Sequence, residues 1–460
     1  MSDNPEDLFE QGETKLEKKF NRVLTPFEEF IHDETAGGIV LMVCTVIALV
    51  LANSPLAGAY QHILHTPIAF SVGDWTLEHT LHHWINDGLM ALFFFLVGLE
   101  IKREVLVGEL ARPQQAMLPI IAALGGMIVP ALFYTAVNAG GPAAHGWGIP
   151  MATDIAFAVG IMVLLGKRVP PSLFTFLVAL AIVDDLGAVA VIAVFYTETL
   201  VYDALFAALA MLGLLVFLNL LGVRKPLPYA IVGILMWLAM LKSGVHATVA
   251  GVLTAWTIPA KSKFNPETFA RLMQKLVSRY NEARAKTRAG DQACMIADQQ
   301  HRRGIVQSLE NGVHLMETPL QRLEHMYHLP VAFIIIPLFA LANAGIPIEF
   351  SKIGEAVAHP AALGVILGLV LGKVIGIAGC ALLAVKLGFG QMPQGANAKH
   401  IIGAGLLGGV GFTMSIFIAE LGFPGHPELL LMAKTGILFA SLIAGVAGYL
   451  FLRSVATPTR

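Results

Sequence analysis

Long apolar runs joined by short polar segments make up most of this chain. Runs near 20 residues recur at about 36–54, 80–101, 115–138, 147–166, 171–196, 202–222, 226–241, 244–258, 327–345, 358–386, 401–421 and 428–452. Helices of this order of length match a hydrocarbon core about 30 Å thick. Lipid-exposed backbone must satisfy its own hydrogen bonds, and the runs lack the alternation of a barrel strand. The pattern predicts an all-α membrane protein with twelve transmembrane helices. It divides into a polar N-terminal segment (1–35), spans 1 to 8 (36–258), a polar insert (259–325), spans 9 to 12 (326–454) and a short tail (455–460). In the insert, PETFARLMQKLVSRYNEARAKTR carries charged residues at helical spacing. It predicts a solvated helix, with a regulatory or partner-binding role as the alternative.

Composition supports a membrane setting, with 56% hydrophobic and 13% charged residues among 460, against about 25% charged in a typical soluble domain. A net charge of -2 gives no sign of a nucleic-acid partner. Cys44, Cys294 and Cys380 are far apart and show no ligand spacing, which argues against a disulfide framework or a zinc site. The first twenty residues are polar and are not a cleaved signal.

Charge placement predicts orientation. Lys15, Lys18, Lys19 and Arg22 precede the first span, and basic residues follow the even ones: Lys102, Arg103 and Arg112, then Lys167 and Arg168, Arg224 and Lys225, eleven between Lys261 and Arg322, Lys386 and Lys399, and Arg453. The positive-inside rule then places both termini in the cytoplasm.

Two spans look interrupted. The fourth contains Pro150 before a polar Thr153-Asp154 pair, and proline removes a backbone donor and frees carbonyls. The eleventh carries Gly403, Gly405, Gly408, Gly409 and Gly411 before Thr413 and Ser415. If spans 3 to 5 and 10 to 12 form an inverted repeat, these are the middle helices of the two units and can cross near the midplane. Half-helix N-termini carry about +0.5 charge and C-termini about −0.5. Asp154 has the sign to compensate the former, and Lys373, central in the tenth span, the latter.

Asp184 and Asp185 lie mid-span in the fifth. A carboxylate there costs roughly 2.5 kcal/mol or more to insert, so two in succession point to function. Successive helix residues project about 100° apart. One aspartate can line an ion cavity while the other reaches Lys373. Carboxylate and hydroxyl oxygens suit a hard cation. A carboxylate poised between burial and an opposite charge can trade a proton for such a cation.

The strings ATDIAFAVG (152–160), ALAIVDDLGAVAVIAVFYT (179–197), LKSGVHATVAGV (241–252), PLFALANAG (337–345), LGKVIGI (371–377) and GVGFTMSIFIA (409–419) closely resemble the bacterial NhaA family of Na⁺/H⁺ antiporters. The resemblance runs from about Phe30 to Arg453, outside much of the insert. This family is itself a standard example of inverted repeats, so that expectation is not independent of the resemblance.

The resemblance implies a twelve-helix protein of the bacterial inner membrane, without a cofactor, that expels Na⁺ or Li⁺ against inward H⁺. Asp185 would be the principal cation and proton ligand, Asp184 its partner in exchange with Lys373, and Thr153 a further ligand. The double aspartate goes with electrogenic exchange in this family. A cytoplasmic pH sensor would comprise Glu100, Arg103 and Glu104 with Lys102, and Glu324, His325 and His328; His246 is a secondary candidate. Two departures from the family's pattern are the long insert and Gln321, where a basic residue is usual. The outer loop 55–80 could pair as a hairpin in a homodimer, as in relatives. Two other classes compete: an intramembrane aspartyl protease, whose acids normally come from separate helices with a GxGD segment that is absent here, and a passive cation channel, whose conduction a buried Asp/Lys pair would impede.

Overall fold

The computed structural model describes residues 34–73, 75–197, 200–261, 266–287, 304–305, 308, 317–349, 351 and 353–455. The first 33 residues with their four basic side chains, Cys294, nearly half of the insert and the last five residues lie outside this set.

The described chain is helical apart from one hairpin. In order it forms α1 (Glu34–Ala52) and α2 (Ala57–Leu64), then β1 (Pro67–Val72) and β2 (Trp75–Thr80). Next come α3 (Leu81–Leu106) and α4 (Pro113–Asn138), a 3₁₀ segment at Ala144–Met151 and α5 (Ile155–Val163). They are followed by α6 (Pro171–Phe195), α7 (Tyr202–Leu220), α8 (Pro226–Ser243), α9 (Val249–Thr257) and α10 (Pro266–Thr287). The last are α11 (Pro319–Asn343), α12 (Pro360–Lys386), α13 (Ala398–Gly408), α14 (Phe412–Gly422) and α15 (Pro427–Val455).

Among the described residues nine helices are long and apolar enough to cross a membrane, and up to eleven if each bent pair is one span. The first expected span, 36–54, corresponds to α1, and beyond it the chain turns by 115° into α2. Pro55 cannot continue the helical hydrogen bonding there, and Asn53 Nδ2 donates to Leu49 O at 2.8 Å. The eighth expected span contains only the nine-residue α9. Gly244 ends α8 at φ +84°, and the following turn uses residues the apolar run had assigned to the helix. Within the loop 55–80, β1 and β2 pair antiparallel from Pro67 opposite Thr80 to Val72 opposite Trp75, with Gly73 at φ +61° in the turn.

Two compact units divide the chain. The first takes in residues 1–86, 113–188 and 329–460, and the second residues 87–112 and 189–328. The first unit's core is built on Leu118, Ala122, Leu173, Leu180, Ile377, Ile401 and Leu407. Here α4 and α12 meet backbone to backbone: a Cβ on Gly376 would stand 2.2 Å from Gly125 O, and one on Gly125 2.3 Å from Gly376 O. Lipid offers helices no hydrophobic drive to associate, so small residues that permit close dispersion contact define such interfaces. The second unit packs Leu99, Leu215, Tyr229, Met236, Ala255 and Leu323 together. Only 11% of the most apolar window of α7 is buried, and Phe206, Leu209, Phe217 and Leu220 are exposed. A face of this kind is stable against lipid tails rather than water.

Candidate functional site

Both interrupted spans of the first unit are broken, and the breaks are bonded to each other. Upstream of the first, Pro150 lies in the 3₁₀ segment, the chain is extended at Ala152 and Asp154, and α5 begins at Ile155. In the second, α13 ends at Gly408 and α14 starts at Phe412 after a bend of 46°. The glycines of this break are sterically required. A Cβ on Gly411 would lie 2.2 Å from Ser415 Oγ and 2.9 Å from Ala152 O, and one on Gly409 2.4 Å from Leu369 O.

Backbone groups released at the breaks are satisfied across them. The Asp154 amide donates to Val410 O at 2.7 Å, Thr153 Oγ1 to Gly408 O at 2.9 Å, and Ser415 Oγ to Ile149 O at 2.8 Å. The Asp154 carboxylate accepts from the amide of Thr413 at 2.9 Å and from its hydroxyl, and from Phe157 N at 3.1 Å. One buried acid thus caps the N-termini of α5 and α14 together, where both the free N–H groups and the helix dipoles favour negative charge.

Lys373 sits on α12 between two π-type segments, Gly368–Gly372 and Ile375–Gly379. Its Nζ donates to Asp184 Oδ2 at 2.6 Å and to Thr153 Oγ1 at 2.9 Å. The ammonium thus reaches Gly408 O, at the C-terminus of α13, through the Thr153 hydroxyl. Gly126 on α4 lies beside the lysine stem: a Cβ there would clash with Ile377 Cγ1 at 2.7 Å while making only ordinary contact with Lys373 Cδ at 3.8 Å. Thr153, Asp185 and Lys373 are 0% exposed, Asp184 1% and Asp154 2%. Asp184 and Asp185 are neighbours on α6, and the charge of Asp185 also reaches Lys373. The structure thus gathers two carboxylates, one ammonium and one hydroxyl in a site screened from bulk water. An oxygen-rich site of this kind can hold a proton or a small hard cation.

In the second unit, Arg103 on α3 pairs with Glu324 on α11 and with Glu104, the latter at 2.9 Å. Glu100 lies within electrostatic reach of Glu324, Arg103 and Glu104, and Glu324 within that of His325 and His328. Lys102 instead caps the end of α9, donating to Trp256 O and Ile258 O at 2.5 Å. His246 is separate from this cluster: its Nδ1 lies 2.7 Å from Thr248 Oγ1, and its Nε2 3.5 Å from Asp87.

Sequence reasoning does not single out another polar cluster in the first unit. Asn343 Nδ2 donates to Asn86 Oδ1 at 2.7 Å, and Asn343 Oδ1 lies 3.0 Å from His82 Nε2. Glu420, at the end of α14, pairs with Lys434 at 2.6 Å and lies 3.9 Å from His82. The one sequence signal is an asparagine in each of two apolar runs, and nothing in their spacing says that they meet.

The Na⁺/H⁺ antiporter 1 family matches residues 28–452. Among named relatives, Na(+)/H(+) antiporter NhaA 1 of Saccharophagus degradans is 55% identical over 441 residues, covering 96% of this chain and 94% of its own. Na(+)/H(+) antiporter NhaA of Sulfurimonas denitrificans is 52% identical, covering 96% and 98%. That of Syntrophobacter fumaroxidans is 48% identical over 450 residues, covering 98% and 94%.

Proposed function

This chain belongs to the Na⁺/H⁺ antiporter 1 family and is a multi-pass membrane transporter that exchanges Na⁺ for H⁺; from that premise we propose that the exchange runs at Asp185 and Asp184, with Lys373 as their partner. The observation that carries the reading is the fully buried Lys373–Asp184 pair at 2.6 Å beside a second buried carboxylate. In the proton-loaded state Lys373 holds Asp184. When Na⁺ enters, Asp185, Asp184 and Thr153 Oγ1 supply oxygens in place of its water, and the cation takes over the charge balance that Lys373 supplied. Proton and cation compete for the same carboxylates, so occupancy links the two gradients without covalent chemistry. Net movement requires that the loaded forms, rather than the empty anionic one, convert between inward- and outward-facing states. Asp154 stays ionised between two helix N-termini and keeps the crossing assembled.

The finer reading follows the family and the charge pattern. The protein has twelve spans, including an inverted repeat whose crossed middle helices are α5 and α14 with their partner segments. It lies in the bacterial inner membrane with both termini cytoplasmic, accepts Li⁺ as well as Na⁺, carries more than one proton per cation and forms homodimers through the hairpin. The cluster of Glu100, Arg103, Glu104, Glu324, His325 and His328 sets its pH response. Adjacent acids on one helix support this reading over a protease, which needs two carboxylates facing one water from separate helices.

Everted vesicles holding an inward-acid proton gradient should lose it when Na⁺ or Li⁺ is added. Asp185→Asn, correctly inserted, should abolish that response, and an undiminished response would overturn the assignment of Asp185.

A further inference from the structure

The amphipathic helix α10 is the strongest feature that exchange does not use. It belongs to the second unit and starts close to the end of that unit's α9. Asn219 Nδ2 donates to Thr257 O at 2.5 Å, and Arg224 Nη1 to Lys261 O at 2.7 Å, which fixes the chain as it exits α9. Five residues later α10 begins at Pro266. At no more than about 3.6 Å per residue, its start stands within roughly 18 Å of Lys261.

Its faces are arranged for an interface. At 100° per residue, Phe269, Leu272, Met273, Leu276, Val277 and Tyr280 fall within an arc of roughly 140°. Leu272 and Val277 are exposed, and no other described element packs extensively along the helix. Arg271, Lys275 and Arg279 form a ridge on the polar side, running up to the edge of that arc rather than opposite it, and all three are exposed. Glu267 and Glu282 share the polar side. Across α10 the sequence has five basic residues (Arg271, Lys275, Arg279, Arg284, Lys286) against these two acids, a net charge of +3. A solvated spacer has no use for the apolar stripe. A helix lying in a membrane surface needs both the stripe and a basic flank that reaches the headgroups.

We propose that α10 is an interfacial anchor, its apolar stripe seated at the headgroup and acyl-chain boundary and its basic ridge held on anionic phospholipid headgroups. That the membrane face is the cytoplasmic one rests on the orientation proposed above; docking on lipid does not. Charge complementarity and the short tether single out the adjacent lipid surface as occupant. The anchor would make the segment between spans responsive to the anionic lipid content of the membrane.

The test uses the full-length protein with Cys44, Cys294 and Cys380 replaced by Ser, which must retain exchange. An environment-sensitive fluorophore is attached at Leu276→Cys in one sample and at Ser278→Cys in another. Each is reconstituted into vesicles of phosphatidylcholine alone, or with one quarter phosphatidylglycerol. With phosphatidylglycerol, the probe at 276 should brighten severalfold and be quenched by brominated acyl chains, while that at 278 stays open to aqueous iodide. Replacing Arg271, Lys275 and Arg279 by Gln should weaken the surface partition of the helix about a hundredfold, from roughly fivefold per basic residue, and return the 276 probe to water. Equal iodide access at both sites would overturn the proposal in favour of a solvated helix. A 276 probe shielded from iodide and brominated lipid alike would overturn it in favour of a protein partner, including a second copy. Exchange is scored on the same vesicles, so failure of the transport reading registers separately from failure of lipid docking.

Discussion

Removing one member of the Lys373–Asp184 pair should be far more damaging than removing both. At the observed 2.6 Å, two unit charges attract by roughly 6 kcal/mol at an effective dielectric of 20. Taking both out of water costs several kcal/mol per ion, so the intact pair is close to neutral in net stability. Lys373→Met keeps most of the side-chain volume beside Gly126 but deletes the ammonium and its bonds to Asp184 and Thr153. A buried carboxylate without its counter-charge costs about 3–5 kcal/mol. With an unfolding entropy of about 2 cal/mol/K per residue, 4 kcal/mol lowers the midpoint of a 460-residue chain by roughly 4 °C. Asp184→Asn in the Lys373→Met background removes the stranded charge and should recover most of that loss. The coupling between the two sites is then about 3 kcal/mol or more, although the double variant should not transport like the wild type. Thermal unfolding of the four purified proteins, followed by intrinsic fluorescence in one detergent at fixed pH, closes the cycle. Additive losses, with the double variant as unstable as the sum of the singles, would refute the pairing argument.

Asp154→Ala removes the cap shared by α5 and α14. It should lower stability by about 2–4 kcal/mol, from about 1 kcal/mol per lost cap and up to about 2 for buried charge at a helix terminus; thermal unfolding against Asp154→Glu, which keeps the charge, checks this. Gly376→Ala must push α12 away from Gly125 and should cost about 1–3 kcal/mol by overpacking. The same change at Gly379, where a new Cβ meets nothing within 4 Å, should be tolerated, and unfolding midpoints of the two variants compare them directly. Arg103→Gln should shift the pH dependence of vesicle exchange by about half a unit while leaving the maximal rate near wild type, a modest effect because the Arg103 side chain is 41% exposed and solvent screens it.

The positions of the apolar runs were legible because burying a backbone in hydrocarbon demands helices about 20 residues long, and composition alone satisfies or fails that demand. The eighth run is longer than its helix for the same reason: hydropathy marks which residues lipid or core accepts, not where Gly244 turns the chain. Asp184, Asp185 and Lys373 stood out because ionisable groups mid-span are rare on energetic grounds. Pro150 and the glycines of 403–411 marked the two breaks because they lack, respectively, a donor and a side chain.

What the sequence by itself determined was therefore which residues must have partners. Which partners they take was decided only by the tertiary structure. A hydrogen bond or ion pair depends on a distance of about 3 Å, and no periodicity encodes one between positions 189 apart, as in Lys373 and Asp184, or 259 apart, as in Thr413 and Asp154. The fold also routed Lys373 to the α13 carbonyl through Thr153, and joined His82, Asn86 and Asn343 into one cluster. Their one-dimensional signals are only polar residues in apolar runs, since nothing local to either run encodes a contact between Asn86 and Asn343, 257 positions apart.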